Sequence, residues 1–199
     1  MPIEKFQHKY RISSARATWH DYNGGIYFVT ICTRDNQHFF GEIQNGTMRL
    51  NEVGQFAFDN LQNIAAHYPY AEVPLFVVMP NHIHAIVYID GEKWGNGRDC
   101  RDVARYVSTE TTETEGCETD ERSEKNSKMA EIAKRQSLLG FVIRGFKSAT
   151  TKFANTNHTT FAWQPRFHDR IIRSQDEMNR IAEYIENNPA RWGMDCFNR

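Results

Sequence analysis

The sequence predicts an α+β fold, in which an antiparallel β-sheet has helices packed against one face. Runs of β-branched and aromatic residues, which favour strands, alternate along the 199 residues with stretches whose apolar residues recur every three or four positions, which favour helices. The order is strand, hairpin, helix, strand, strand, insertion, helix, strand and helix. We expect one domain over residues 1–199, because a chain of this length can enclose a single core.

The first half of the chain is predicted to hold most of the strands and one helix. The first strand reads Ile-Tyr-Phe-Val-Thr-Ile-Cys, a composition typical of a buried strand. An Asn-Gly pair between two short apolar runs indicates a type I′ hairpin turn, and a proline marks the end of the helical stretch. The predicted segments are a strand over 26–32, a hairpin turn at Asn45-Gly46, a helix from Asn51 to His67 that ends before Pro69, and strands over 73–78 and 82–89.

The segment from about residue 91 to residue 130 is predicted to be a flexible, solvated insertion. It is rich in Gly, Thr and Glu and has few periodic apolar residues. Residues 106–124 carry seven acids and one base, a net of −6 within a chain total of −1, so the remainder of the chain carries +5. Residues 137–199 contribute +3 of that surplus. This distribution permits nucleic-acid binding by the C-terminal part without requiring it.

The C-terminal part is predicted to contain a helix, a strand and a second helix. Apolar residues from Leu139 to Phe153 recur at 3-4-3-4 spacing, which lines one face of a helix. Residues 166–173 have the composition of a strand with basic flanks. The last helix is expected to begin at Ser174, with Glu177 completing a capping box, and to end before Pro189.

The composition favours a cytoplasmic protein without a membrane partner. No stretch approaches the roughly 18 consecutive apolar residues that a membrane span needs. The N-terminal residues are polar and lack the apolar stretch of a secretory signal. The four cysteines include no C-x-x-C pair, which fits free thiols in a reducing compartment better than disulfides or a zinc site.

A histidine pair, His82 and His84, lies on the second of the two consecutive predicted strands. Residues two apart on a strand project to the same face, so both imidazoles point together while Ile83 points away. Two adjacent imidazoles make half of a divalent metal site. Taken alone, such a pair is more often two surface histidines or a hydrogen-bonded pair in a core than a metal site.

Tyr184 and Asn188 lie four residues apart on the last predicted helix and therefore share one of its faces. The apolar stripe through Ile181 and Ile185 lies on another face, so Tyr184 is not needed for core packing. A phenol has an ordinary pKa near 10 and needs assistance to attack phosphorus. A metal held by His82, His84 and Asn188 would provide it, and such ligands with open positions suit Mg²⁺ or Mn²⁺.

Three motifs in a fixed order carry a specific resemblance. They are Met79-Pro80-Asn81-His82-Ile83-His84, Trp163-Gln164-Pro165-Arg166-Phe167-His168-Asp169 and Tyr184-Ile185-Glu186-Asn187-Asn188-Pro189. From about residue 22 to residue 192 the chain resembles the HUH single-tyrosine transposases. The closest resemblance is to their REP-associated tyrosine transposase branch, which is similar to insertion-sequence transposases. The resemblance implies a ferredoxin-like sheet, in agreement with the element order.

The resemblance also implies an activity for the four residues. His82 and His84 would be the HUH metal ligands and Asn188 the third ligand, while Tyr184 would attack a phosphodiester of single-stranded DNA. The products would be a 5′-phosphotyrosine link and a free 3′-hydroxyl, which can later attack the link and rejoin strands. Family members commonly recognise a hairpin formed by a palindromic repeat. The implied partner is therefore single-stranded or hairpin DNA, bound in the nucleoid by a monomer or a homodimer.

Some relatives carry a tyrosine in the helix that precedes the predicted basic strand. This chain has Phe146 there, within the apolar stripe, so the residue is expected in the core and cannot be a nucleophile. His168 is a candidate general base or substitute ligand.

Basic and aromatic residues of the C-terminal part predict a DNA-binding surface. Cations neutralise phosphates and aromatic rings stack on unpaired bases. Each of these residues also fits a solvated face or core packing. The candidates are Arg144, Lys147, Lys152, Arg166, Arg170 and Arg173 for phosphates, and Trp163 and Phe167 for bases.

Two other functions remain compatible with the sequence. A regulatory protein that binds DNA hairpins without cutting them could keep the same fold, although the intact set of His82, His84, Tyr184 and Asn188 argues against it. An unrelated metallohydrolase could use His82 and His84 without a covalent intermediate. A stable protein–DNA adduct would exclude both.

Overall fold

The computed structural model describes His20 and residues 22–95 and 137–198. Its strands are β1 (Gly25–Cys32), β2 (Gly41–Gln44), β3 (Thr47–Leu50), β4 (Ala71–Val78), β5 (His82–Ile89) and β6 (His168–Ile171). Its α-helices are α1 (Glu52–Gln62), α2 (Ile64–His67), α3 (Gly91–Gly95), α4 (Leu138–Thr156) and α5 (Gln175–Asn187). Short 3₁₀ turns occur at Arg34–Asn36 and Trp192–Met194.

Within the described residues, four strands form an antiparallel sheet in the order β4-β5-β1-β6, and β2 and β3 form a separate hairpin. The central strands β1 and β5 pair along their whole length, from Gly25 opposite Ile89 to Cys32 opposite His82. α1 lies between β1 and β4 in the chain, and α4 lies between β5 and β6. This β-α-β-β-α-β order confirms the predicted α+β class and its ferredoxin-like sheet.

The main core lies between one face of the sheet and the helices α1 and α4. Alternate residues of the central strands, such as Val29 and Ile83, point into it and are fully buried, as the two-residue period of a strand requires. Phe146 of α4 is 1% exposed in the same core, which confirms that it is a packing residue. The two helices meet at the stacked rings of Phe56 and Phe153, whose centroids lie 4.2 Å apart.

The opposite face of the sheet is covered by α5, which contacts β4 and β5. A smaller apolar cluster of Ile86, Ile172 and Ile185 seals this contact. The expectation that the helices pack on one face therefore holds for α1 and α4 and is corrected for α5. The reason is that the sheet also carries apolar residues opposite the main core, among them Ile86 of β5, Phe28 of β1 and Leu75 of β4, and these require a cover.

Several predicted boundaries are confirmed and others are adjusted. Asn45 and Gly46 both have positive φ, 52° and 74°, as a type I′ turn requires. The helix predicted from Asn51 is divided at Asn63 into α1 and α2. The basic strand is shorter than predicted because Arg166 adopts a left-handed φ of 70° ahead of β6.

The predicted insertion at about 91–130 falls mostly outside the described residues. Its first residues, Gly91–Gly95, form a short helix. No helix in the described ranges is long and apolar enough to cross a membrane.

Candidate active site

His82 and His84 project side by side from β5 toward the face covered by α5. Both are buried, with 0% and 2% of their surface exposed, and their ring centroids lie 4.5 Å apart. Ile83 between them points into the main core. The strand geometry predicted from the H-x-H spacing is therefore present.

The orientation of the His82 ring is fixed by the preceding residue. Both N–H groups of the Asn81 side chain donate to backbone carbonyls, one of Asn36 at 3.1 Å and one of Phe197 at 2.7 Å. The amide oxygen of Asn81 then faces Nδ1 of His82 at 2.9 Å, so Nδ1 carries the hydrogen and donates it. The unprotonated Nε2 of neutral His82 is buried and has no hydrogen-bond partner.

His84 is held in a similar way by the neighbouring strand. Its Nδ1 lies 2.9 Å from the hydroxyl oxygen of Thr30, directly opposite on β1. Its Nε2 lies 3.2 Å from the hydroxyl oxygen of Tyr184. In the tautomer that carries its hydrogen on Nδ1, His84 donates to Thr30 and its Nε2 accepts from the Tyr184 hydroxyl. In the same tautomer, Nε2 can bind a metal ion instead of the phenol.

Burial strongly favours the neutral form of both imidazoles. Desolvation lowers the pKa of His82 to about 3. Desolvation also lowers the pKa of His84 to about 3, assisted by His82 and opposed by the carboxylate of Asp195. Neutral imidazoles are the form that binds metal ions.

Tyr184 is the accessible member of the site. It projects from α5 with 40% of its surface exposed, and its ring packs edge-on against Phe28. Burial of part of the ring raises the pKa of Tyr184, and the charge of Asp195 raises it further, whereas a side-chain hydrogen bond with Asn188 lowers it. The phenol therefore remains protonated at neutral pH and requires nearby positive charge to become a nucleophile.

Asn188 immediately follows α5 and is 3% exposed. Its backbone remains helical, which keeps its side chain one turn beyond Tyr184. The side-chain oxygen of Asn188 is buried without a hydrogen-bond partner. Buried amide oxygens normally have partners, so an unpartnered one whose side chain contacts Tyr184 fits a cation ligand.

The C-terminal segment adds residues that the sequence analysis did not identify. The ring of Phe197 lies 4.5 Å from that of His82, centroid to centroid, and Trp192 lies 6.0 Å away. The carboxylate of Asp195 lies 3.9 Å from Nε2 of His82. A single Asp in a short segment without helical or strand periodicity gives no motif signal, so only the fold reveals its position. Asn81 could have been found, because it directly precedes the histidine pair.

Within the described part of the chain, His, Cys, Asp and Glu side chains do not by themselves form a group of three that could hold a metal ion. The candidate set of His82, His84 and Asn188 depends on an amide oxygen. Such an oxygen binds metal ions more weakly than a carboxylate does and is a harder donor than an imidazole. The two unpartnered buried acceptors, on His82 and Asn188, nevertheless fit a divalent cation.

The predicted DNA-binding residues are divided between the two faces of the sheet. In β6, His168 lies opposite Thr30 and Arg170 lies opposite Phe28, so both share the face that carries His84. Arg170 is paired with Glu177 at 2.7 Å, but most of its side chain remains exposed. His168 and Arg173 are also exposed.

The remaining candidates lie on the side of α4. They line an open cavity of about 810 Å³. Lys147 donates to the carbonyl oxygens of Gln164 and Arg166 at 2.8 and 2.9 Å, which supports the left-handed backbone at Arg166. The lining includes Arg144, Lys147, Lys152, Trp163, Arg166 and Phe167.

The two aromatic candidates are engaged in packing. Trp163 packs against Phe40, Phe146 and Phe161, and its indole N–H donates to the carbonyl of Lys147 at 3.0 Å. Phe167 is half-buried against the main core. These contacts favour a structural role over base stacking for both rings.

The geometry thus defines an α+β protein with a ferredoxin-like sheet and a histidine–tyrosine–asparagine cluster on the face opposite its main core. No protein family model matches the chain. It is 30% identical over 172 residues to an uncharacterized protein of Haemophilus influenzae Rd, an alignment that covers 86% of this chain and 83% of that protein. The chain belongs to the same protein family as this Haemophilus influenzae protein.

Two solved structures are similar in overall shape. One is a REP-associated tyrosine transposase bound to a REP hairpin, at 16% identity and a TM-score of 0.48, covering 90% of this chain and 75% of that one. The other is a candidate transposase from Deinococcus radiodurans R1, at 16% identity and a TM-score of 0.36, covering 86% of this chain and 95% of that one. Likeness at this level does not define an activity.

Proposed function

We propose that this protein is a metal-dependent, single-tyrosine nuclease and strand transferase that acts on single-stranded DNA. The observation that supports the proposal most directly is the contact of 3.2 Å between the Tyr184 hydroxyl and Nε2 of His84. It joins the two motifs, a hundred residues apart, that the sequence resemblance assigned to one active site.

In the proposed reaction the Tyr184 oxygen attacks the phosphorus of a phosphodiester. A bond forms between that oxygen and phosphorus, and the bond from phosphorus to the 3′-oxygen breaks. The phenol loses its proton and the leaving 3′-oxygen gains one, so charge is conserved. The product is a 5′-phosphotyrosine link, and attack by a 3′-hydroxyl reverses the step and rejoins strands.

His82, His84 and Asn188 would hold the cation, for which Mg²⁺ and Mn²⁺ are the proposed candidates. A divalent cation held by these residues would supply positive charge to stabilise the phenolate and to polarise the scissile phosphate. The protein itself fixes both imidazole rings through Asn81 and Thr30. Such outer hydrogen bonds keep the Nε2 atoms directed into the site.

The partial exposure of Tyr184 suits a polymeric substrate. Its hydroxyl lies beside buried ligands while the ring edge is open to solvent, so a DNA strand can reach it without entering a closed pocket. His168 and Arg170 extend from the same side of the molecule and would contact the phosphates. The cations of the α4 cavity lie on the other side of the sheet and would contact a more distant part of the DNA, such as a hairpin stem.

A denaturing-gel assay with labelled single-stranded hairpin oligonucleotides tests the proposal. In Mn²⁺ or Mg²⁺ we expect a covalent protein–DNA band that is absent in EDTA and absent in Tyr184→Phe. Binding to hairpins without an adduct in any metal would instead favour a regulatory protein. Cleavage without an adduct would favour a metallohydrolase.

A further inference from the structure

A carboxylate and an imidazole face each other in the enclosed part of the site. The carboxylate oxygen Oδ2 of Asp195 lies 3.9 Å from Nε2 of His82, and their side chains are 6% and 0% exposed. The distance is too long for a direct hydrogen bond. Burial keeps both groups largely out of contact with bulk water.

The hydrogen bonds of Asn81 determine which kind of atom Asp195 faces. Because both N–H groups of Asn81 are used by carbonyls, its oxygen receives the hydrogen on Nδ1 of His82. The opposite nitrogen of the neutral ring then presents a lone pair. A lone pair and a carboxylate repel each other unless a positive charge lies between them.

Asp195 is held in this position by its own segment. Its second oxygen accepts the backbone N–H of Phe197 at 2.8 Å, and its backbone N–H donates to the carbonyl of Trp192 at 3.0 Å. The carbonyl of Phe197 in turn accepts from the buried side chain of Asn81. The carboxylate is therefore fixed beside the histidines by three consecutive contacts.

A third acceptor completes the arrangement. The side-chain oxygen of Asn188 is buried beyond Tyr184 and has no hydrogen-bond partner. Like Nε2 of His82, it is an acceptor without a donor. Both observations point to a cation, independently of the position of Asp195.

We propose that Asp195 is a further ligand of the divalent cation, so that the site combines two imidazoles, one amide and one carboxylate. The inference rests on the metal site of the proposed function. Two oxygen or nitrogen ligands about 2.1 Å from one ion lie at most about 4.2 Å apart. The separation of 3.9 Å between Asp195 and His82 is within this limit.

The carboxylate changes the chemistry of the site. It adds a negative charge and an oxygen donor, which increases the preference for hard cations such as Mg²⁺ and Mn²⁺ over cations that favour sulfur. Among the described residues, His82, His84 and Asp195 do not by themselves form a group that could hold a metal ion, so binding would require a small inward shift of the Asp195 carboxylate. The metal-free protein, by contrast, contains an unfavourable contact between two acceptors.

The test compares Asp195→Asn with Asp59→Asn, which removes the same charge from an exposed position on α1. The dissociation constant for Mn²⁺ is measured by calorimetry, and thermal unfolding is measured in EDTA and in saturating Mn²⁺. We expect Asp195→Asn to weaken Mn²⁺ binding about tenfold or more. In EDTA it should unfold at a temperature equal to or above that of the unmodified protein, because an amide can donate to Nε2 of His82. Asp59→Asn should bind Mn²⁺ normally.

Four other results would contradict the inference. Unchanged Mn²⁺ affinity in Asp195→Asn would exclude the carboxylate as a ligand. A lower unfolding temperature in EDTA with unchanged affinity would identify a simple ion pair with protonated His82. If the unmodified protein does not bind Mn²⁺, or His84→Gln binds it equally well, the metal site of the proposed function fails as well. Loss of Mn²⁺ affinity in His84→Gln but not in Asp195→Asn would overturn only the inference.

Discussion

The hydroxyl oxygen of Tyr184 and Nε2 of His84 lie 3.2 Å apart, although the residues are a hundred positions apart in the chain. His84 is on the central strand pair, and Tyr184 is on the helix that crosses the same face of the sheet. A rigid strand and a helix thus bring the proposed nucleophile and a proposed ligand together. Sites built on such elements maintain their geometry better than sites built on loops.

Tyr184→Phe should abolish the covalent protein–DNA adduct while leaving hairpin affinity within about twofold, because only the nucleophilic oxygen is removed. The ring can keep its contact with Phe28. Gel assays for the adduct and equilibrium binding to the same oligonucleotide measure the two effects separately. An equal loss of binding and adduct formation would indicate a structural role for the hydroxyl.

Thr30→Val should weaken Mn²⁺ binding about tenfold to a hundredfold, since outer hydrogen bonds orient metal-binding histidines. The substitution keeps the shape of the side chain but removes the partner of Nδ1 of His84. Calorimetry with MnCl₂ measures the change. Thr151→Val, which removes a hydroxyl bound to the Lys147 carbonyl on α4, is the matched control. Equal Mn²⁺ affinity in both variants would contradict the prediction.

The metal-free protein should lose stability in acid. In the folded state the pKa values of His82 and His84 are lowered to about 3 from 6.5, chiefly by burial. Between these values the unfolded chain binds protons that the folded chain does not, so the free energy of unfolding decreases as pH falls from about 6.5 toward 3. Thermal unfolding in EDTA measures this slope. A variant in which His82 and His84 are both replaced by glutamine should lose less stability over the same pH range. An identical pH dependence would show that other titratable groups dominate.

Ile185→Ala should lower the free energy of unfolding by about 2–4 kcal/mol, because Ile185 is 1% exposed and fills the cluster under α5. It should also reduce adduct formation, because the packing of Ile185 helps to position the neighbouring Tyr184. Chemical denaturation gives the stability change. Val142→Ala on α4 is the comparison, being buried in the main core at 1% exposure. It should destabilise the protein with a smaller effect on adduct formation by the remaining folded molecules.

Arg170→Ala and Lys152→Ala should affect DNA binding differently. Arg170 lies on the same face as His84, whereas Lys152 lines the cavity beside α4. Each substitution should reduce the slope of the logarithm of the DNA-binding constant against the logarithm of salt concentration by about one, because one phosphate contact is lost. For an unstructured oligonucleotide that spans only the cleavage site, Arg170→Ala should weaken binding and Lys152→Ala should not. The reverse pattern would place the cleaved strand on the α4 side.

Much of the fold was predictable because periodicity depends on local chemistry. The type I′ turn at Asn45-Gly46 and the N-caps at Asn51 and Ser174 follow from short-range rules. The capping box at Ser174 forms only in part. The hydroxyl accepts the Glu177 N–H, but the Glu177 carboxylate binds Arg170 and the Arg173 N–H instead of reaching back to Ser174. Arg170 is a stronger partner for the Glu177 carboxylate than the backbone N–H of Ser174 is. The capping-box pattern considers only neighbouring residues in the sequence and does not include this arginine.

The face chosen by α5 was not predictable, since its apolar stripe fits either side of a sheet. The site was predictable where two residues share one element, as for His82 with His84 or Tyr184 with Asn188. Thr30 and Asp195 were missed because their proximity depends on strand register and on the path of the chain after α5. The division of the predicted DNA-binding residues between two faces has the same cause.

The side chain of Asn81 joins the carbonyls of Asn36 and Phe197 while it holds the ring of His82. The Asn81 side chain therefore connects the segment at Asn36 with the segment at Phe197, which are more than a hundred residues apart in the chain. During synthesis, the histidines cannot reach their final arrangement until Phe197 has emerged from the ribosome. A chain without Phe197 would leave one N–H group of the Asn81 side chain without its carbonyl partner, and the ring of His82 would be less firmly oriented.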